Sequence, residues 1–302
     1  MLAILAPGQG SQSPGMLAAW LEDTELKNLL TSYSSAINLD LERLGTVADA
    51  DEIKDTANAQ PLIVATSLIS AHALGSDVNT SFVAGHSVGE IAAAALAATL
   101  TELDAMKLVH LRGQEMAKAA ALAPAGMAAV LGGERSVVLS AIKELGLVAA
   151  NDNGAGQIVA AGNLDALSQL APEGARVRAL AVAGAFHTPF MEPAVAPLRA
   201  MAKTIEASDA KISVISNKDG AVVSDGREVL DRIVNQIANP VRWDLCMQTL
   251  REQGVTGVIE LAPGGTLAGL IKRATPEIEQ LALKSPADIS AAREFAARHG
   301  KA

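Results

Sequence analysis

The sequence predicts an α/β protein, with a mostly parallel sheet flanked by helices and a small ferredoxin-like domain inserted into it. Three observations carry this. Short apolar runs alternate with longer helical patterns, which is the signature of βαβ units. One stretch breaks that rhythm with the order βαββαβ, the ferredoxin-like pattern. The chain has 302 residues, 50% of them apolar, enough for a large α/β domain plus a small one.

Buried strands are expected at Leu2–Ala6, Ser81–Gly85, Lys211–Ser216, Gly257–Ala262 and Gln280–Leu283. Helical patterns lie near 61–75, 88–99, 101–120, 226–238, 241–253, 265–274 and 286–298. The inserted pattern reads as strand Met127–Leu131, helix Arg135–Leu145, strand Val148–Asn151, turn Asp152–Gly156, strand Gln157–Ala161, helix Leu164–Leu170 and strand Arg176–Ala183. Its ends fall at the Gly/Ala/Pro-rich connections Ala121–Gly126 and Gly184–Pro189. Residues 125–187 are therefore expected as the insertion, with 1–124 and 188–302 forming the large domain. A cleft between two such units is a common place for a ligand.

Composition excludes several function classes. The apolar content comes in short Ala, Val and Leu blocks, and the longest run, Ile91 to Ala98, is far below the ~18 residues of a spanning helix. Met1 to Ala6 has no basic leader and stops at Pro7-Gly8, so it reads as a buried strand rather than a signal peptide. The single cysteine, Cys246, cannot form an internal disulfide, which fits a reducing cytoplasm. The formal charge is −9 and aromatics are 2%, so the chain is poor in the cations and stacking platforms that nucleic acid needs. Neither nucleic acid nor membrane is expected as a partner. The spacing of Asp and His shows no metal-ligand cluster.

The strongest local signal is Gly85-His86-Ser87-Val88-Gly89-Glu90. It matches G-x-S-x-G, with an apolar strand before it and an Ala-rich helix after it. In that context the serine sits on a sharp strand-to-helix turn, and the flanking glycines let neighbouring chain approach closely. The helix N-terminus then presents unpaired N–H groups to a reacting carbonyl, and its dipole favours Glu90 in the first turn. Ser87 is the expected nucleophile.

A serine hydroxyl needs a base within hydrogen-bond reach. His72 and His110 lie inside helices, His299 lies in the C-terminal tail, and His86 should point away from its neighbour Ser87. His187, in Gly184-Ala185-Phe186-His187-Thr188-Pro189, directly follows a strand at the domain junction and is the expected base. The rate should then fall as pH drops through its pKa, ordinarily ~6.5. No acid intervenes in the order that hydrolases of the Ser, Asp/Glu, His type show, so another group must orient the imidazole. In the 101–120 helix, Ala105, Leu108, Val109, Met116 and Ala119 share one face, and Arg112 lies in that apolar stripe. A guanidinium there must pair with a carboxylate or snorkel.

These segments, with Gly8-Gln9-Gly10-Ser11-Gln12, Gln60-Pro61 opening a helix, Leu111-Arg112-Gly113, Ala185-Phe186-His187, Asn239-Pro240-Val241-Arg242-Trp243 and Pro263-Gly264, occur in one order from Leu2 to about Lys284. In them the chain resembles the malonyl-CoA:acyl-carrier-protein transacylases of type II fatty-acid or polyketide synthesis. The resemblance implies a hydrolase-like α/β domain with a ferredoxin-like insertion. It implies that Ser87 becomes malonylated, that His187 is the base, and that the backbone carbonyl of Gln236 holds the imidazole. The backbone N–H groups of Gln9 and Val88 match the oxyanion hole, Arg112 the residue that binds the free malonyl carboxylate, and Phe186 a position that selects the unbranched extender over methylmalonyl.

The implied substrates are malonyl-CoA and acyl carrier protein, with no bound cofactor and no metal. Such carriers are generally acidic, so a local basic patch is required on this acidic chain, with Lys272 and Arg273 as candidates. The rival readings are a serine esterase or thioesterase of similar fold, an acyltransferase for another acyl-CoA such as methylmalonyl-CoA, and a non-catalytic carrier-binding module. Retention of Ser87, His187 and Arg112 together argues against the last.

Overall fold

The computed structural model describes residues 1–300. Eleven strands run in chain order as β1 (Leu2–Ala6), β2 (Phe82–Gly85), β3 (Ala125–Gly132), β4 (Val148–Asp152), β5 (Gln157–Asn163), β6 (Ala175–Ala179), β7 (Ser213–Ile215), β8 (Val222–Val223), β9 (Val241–Arg242), β10 (Gly257–Glu260) and β11 (Glu279–Ala282). They form two sheets, one in the order β11-β10-β1-β2-β7-β8 and one in the order β6-β3-β5-β4-β9.

The first sheet is parallel except for β8, which turns back along β7. Its central strand β1 is buried at every residue. Leu2, Ile4 and Ala6 face one apolar cluster, while Ala3 and Leu5 face another. Side chains alternate along a strand, so this continuous apolar run reports a sheet covered by helices on both faces. The second sheet carries the ferredoxin-like order, with β3, β4, β5 and β6 paired antiparallel. Helices Arg135–Glu144 and Leu164–Gln169 contribute Val138, Ile142 and Leu167 to the cluster on one of its faces.

Several boundaries differ from the sequence expectation. The helix expected from Pro61 begins at Thr56, because the Asp55 side chain accepts from the Ala57 N–H at 2.8 Å and caps it there. Pro61 lies inside the helix, one turn in, where its missing N–H forgoes a single bond. The helix expected over 241–253 starts at Trp243, since Val241–Arg242 instead pairs parallel with β4 and adds a fifth strand to the small sheet. The strand expected to run to Ala183 ends at Ala179. Helices Thr24–Ile37, Leu41–Thr46 and Glu192–Ala202 have no counterpart in the expectation.

Two close approaches position the site. The strand-to-helix turn after β2 folds so tightly that a Cβ on Gly85 would collide with the Gly89 carbonyl, and one on Gly89 with the Ala6 carbonyl oxygen. Helix Glu102–Ala120 crosses helix Thr56–Leu74 at Gly113, where a Cβ would lie 2.9 Å from the Thr56 carbonyl oxygen. No described helix is long and apolar enough to cross a membrane.

Gly89→Ala should therefore destabilise the protein by about 3 kcal/mol or more, because backbone rather than a flexible side chain must move. Urea unfolding checks this; a loss below about 1 kcal/mol would contradict the packing described.

Candidate active site

The turn after β2 holds Ser87 at φ 54°, in the left-handed region that a non-glycine residue rarely adopts. Its N–H donates to Asn217 Oδ1 at 2.8 Å, and Asn217 Nδ2 donates to the Gly85 carbonyl at 2.8 Å. One amide thus bridges both arms of the turn. Asn217 follows β7, the strand beside β2, so the serine and its clamp lie beyond the carboxyl ends of adjacent parallel strands.

The Ser87 hydroxyl lies 2.7 Å from His187 Nε2. His187 also has a positive φ, 61°, in a turn where Thr188 Oγ1 donates to the Ala185 carbonyl at 2.6 Å. Its Nδ1 is 2.8 Å from the Gln236 carbonyl oxygen. That oxygen can only accept, so Nδ1 carries the proton and the Nε2 lone pair faces the serine. A carbonyl therefore fixes the tautomer without a third ionised side chain.

Burial pushes the His187 pKa down from 6.5 to about 3, and the positive Arg112 adds to the shift, against the Gln236 hydrogen bond. The imidazole is neutral, as a base must be. The acid limb is therefore expected below the ordinary ~6.5 of a histidine.

Arg112 is 1% exposed and forms no ion pair with any described residue. Its Nη1 donates to Gln60 Oε1 at 2.7 Å, and its Nη2 donates to Gln236 Oε1 at 3.1 Å and to Ser87 Oγ at 3.3 Å. Its Nε has no partner. Burial pulls the guanidinium down from 12.5 to about 10, opposed by the negative field of Glu90, and it stays charged at neutral pH. A cation with neutral partners only, facing the Ser87 hydroxyl, has room for an anion.

The cleft in front of these groups measures about 530 Å³, with Met127 and Val159 of the small sheet among its walls. Gln9 and Phe186 also line it. A Cβ on Gly8 would lie 2.7 Å from the His86 carbonyl oxygen, so only glycine lets the loop carrying Gln9 lie against the serine turn. Neither the Gln9 nor the Val88 backbone N–H has a protein acceptor among the described residues. Both are available to an oxyanion.

His86 points away from the serine hydroxyl, as its position implied, yet it still lines the cleft. Its Nε2 lies 2.9 Å from Asn153 Oδ1, and its ring meets Trp243 edge-on at 5.6 Å. His72, His110 and His299 partner Glu102, Gln114 and Thr256 instead. Lys272 and Arg273 are exposed on helix Thr266–Ala274, and Arg273 lines the cleft. Among the described residues no group of three His, Cys, Asp or Glu side chains could hold a metal ion.

Sequence reasoning missed the parts played by Gln60 and Asn217. Gln60 was seen only as part of a helix-opening motif. Asn217 had one usable signal, its place just past an apolar strand in a parallel sheet, where ligand sites gather.

The rate of Ser87 acylation by a neutral activated ester should stay level as pH falls through ~6.5. Replacing Arg112 by Met removes the repulsion on His187 and should move any acid limb upward. Stopped-flow acylation against pH measures both; a wild-type midpoint near ~6.5 would contradict this environment.

The chain matches the acyl transferase domain family over residues 5–291. It is 51% identical over 299 residues to the malonyl CoA-acyl carrier protein transacylase of Mycobacterium tuberculosis, covering 96% of this chain and 98% of that protein. With the Bacillus subtilis protein of the same name the identity is 34%, covering 96% of each. The crystal structure of MCAT from Mycobacterium tuberculosis superposes with a TM-score of 0.94 at 50% identity, over 97% of this chain and 99% of that one. The acyl-carrier-protein S-malonyltransferase of Burkholderia pseudomallei gives 0.92 at 36% identity, over 97% and 99%. With a hydrolase-like α/β core, a ferredoxin-like second sheet and these relatives across nearly its full length, the chain belongs to the acyl transferase domain family, among the malonyl CoA-acyl carrier protein transacylases.

Proposed function

We propose that this protein transfers a malonyl group from malonyl-CoA to the phosphopantetheine thiol of acyl carrier protein through a malonyl-Ser87 ester. The observation that carries this reading is the buried Arg112 guanidinium, without a carboxylate of its own, 3.3 Å from the Ser87 hydroxyl. An acyl group esterified there with a carboxylate at its far end would meet that cation. The names of the relatives at 51% and 34% identity support the same donor and acceptor.

In the first half-reaction His187 Nε2 takes the Ser87 proton as Oγ attacks the thioester carbonyl. The backbone N–H groups of Gln9 and Val88 stabilise the tetrahedral oxyanion, each donor contributing about 100- to 1,000-fold. As the C–S bond breaks, the protonated imidazole gives its proton to the departing CoA sulfur. The carrier thiol then enters the same site, loses its proton to His187 and attacks the ester; Ser87 leaves and recovers the proton. The Gln236 carbonyl holds the imidazole throughout. Each proton and leaving group is accounted for by Ser87, His187 and the two thiols.

Phe186 walls the cleft beside the base, and its bulk favours the unbranched malonyl group over methylmalonyl. Residues 125–187 act as a domain inserted between 1–124 and 188–302, closing one side of the cleft. Lys272 and Arg273, exposed near the cleft, suit an acidic carrier. We place the reaction in the cytoplasm, which the single free thiol of Cys246 fits.

Intact-mass spectrometry after mixing with malonyl-CoA should show a malonyl increment on the wild-type protein and none on Ser87→Ala. Free malonate without an adduct would instead indicate a thioesterase. For Arg112→Ala the malonyl-over-acetyl preference should fall by roughly 30- to 4,000-fold, the equivalent of ~2–5 kcal/mol for a lost charged partner. An unchanged preference in competition assays would rule out charge selection. Phe186→Ser should gain methylmalonyl transfer, measured by the same competition.

A further inference from the structure

Glu90, one turn beyond the nucleophile, is 3% exposed and reaches none of the reacting atoms. Its Oε1 accepts from the Asn217 backbone N–H and its Oε2 from Gln236 Nε2, both at 2.6 Å. The second N–H of that Gln236 amide goes to Asn217 Oδ1 at 3.0 Å. Two acceptors therefore face the amide nitrogen and force the amide oxygen the other way, onto Arg112 Nη2 at 3.1 Å. The orientation of this amide is decided by a side chain that, while ionised, can only accept. Gln236 thus meets the site twice, by its carbonyl at His187 and by its side chain at Arg112.

We propose that Glu90 is a positioning residue whose carboxylate locks the Gln236 amide with its oxygen toward Arg112, holding the guanidinium in place for the acyl carboxylate. This rests on the malonyl-transfer reading above and adds a residue that acts on selectivity from behind the site. Removing the negative charge turns one oxygen of Glu90 into a donor. Asn217 N–H and Gln236 Nε2 are both donors, so one contact becomes donor against donor. The brace behind the Gln236 amide is then lost, and its oxygen is no longer held against Arg112 Nη2.

Protonation and the Glu90→Gln substitution are equivalent in this respect. Burial raises the Glu90 pKa to about 7, against the Asn217 hydrogen bond and the charges of Arg112 and Arg232. The other ionisable groups whose fields act with it are Asp219, which raises it further, and the buried thiol of Cys246. Arg232 is itself tied to Asp219 and Glu228.

The test is the ratio of kcat/KM for malonyl-CoA to that for acetyl-CoA, measured from roughly pH 5.5 to 8.5, a range in which the acyl carboxylate (ordinary pKa ~4) stays ionised. Taking the ratio cancels the contribution of His187, which serves both acyl groups. In wild type the ratio should fall about ten-fold or more as pH drops through about 7, mainly through KM for malonyl-CoA. Glu90→Gln should show the low ratio at every pH, with its acid dependence gone. A residue that merely stabilised the fold would move both substrates together. A flat wild-type ratio, or a Glu90→Gln protein with the wild-type ratio at high pH, would overturn the proposal. The wild-type series decides the matter if the variant does not fold. A wild type that forms malonyl-Ser87 normally but shows no pH-dependent ratio fails this proposal alone; one that forms no adduct at any pH fails the transfer reading itself.

Discussion

A guanidinium buried beside the Ser87 hydroxyl, with amide oxygens around it and no carboxylate in contact, is the constraint on which the rest of this site depends. Burying a charge without an ionic partner is unfavourable by several kcal/mol in a low-dielectric interior. Here the deficit is offset only in part, by the oxygens of Gln60 and Gln236, and the guanidinium Nε is left without a partner. A site arranged in this way is stabilised by an arriving carboxylate more than by any neutral acyl group. The same cation opposes protonation of the neighbouring His187 imidazole.

The scaffold explains how three groups distant in sequence meet. Adjacent parallel strands β2 and β7 deliver Ser87 and Asn217 to the same edge of the sheet. The glycines around Ser87 allow helix Gly89–Leu96 to start against β1, which leaves the Val88 N–H free of a protein acceptor beside the serine. Helix Glu102–Ala120 brings Arg112 in from one side because Gly113 lets it lie against helix Thr56–Leu74. Ser87 and His187 both occupy left-handed backbone; the Ser87 N–H donates to Asn217 Oδ1, and the turn at His187 is closed by Thr188 Oγ1 donating to the Ala185 carbonyl. Strain of this kind persists only where the surroundings over-determine it.

Much of this was legible in the chain itself. Apolar runs marked β1, β2 and β10, which are buried throughout, whereas the buried strand expected at Gln280–Leu283 forms β11, a partly exposed strand at the sheet edge. The change of rhythm after Gly126 marked the second sheet. Gly85 through Glu90 identified the serine turn because the chemistry of that turn demands those residue types in sequence. Contacts made between distant segments were not legible. The two residues of β9 are too few to show periodicity, and only their pairing with β4 makes them a strand. Asn217 and Gln60 are ordinary polar residues until the fold buries them. Nor could sequence show how far burial would shift His187, since that depends on what covers it.

The most direct test of this account is a crystal structure of the protein trapped as its malonyl-Ser87 ester. The account predicts the free carboxylate against Arg112, with nitrogen–oxygen distances of about 2.7–2.9 Å in a paired, fork-like arrangement. A carboxylate directed into solvent, with Arg112 still bound only to Gln60 and Gln236, would contradict it.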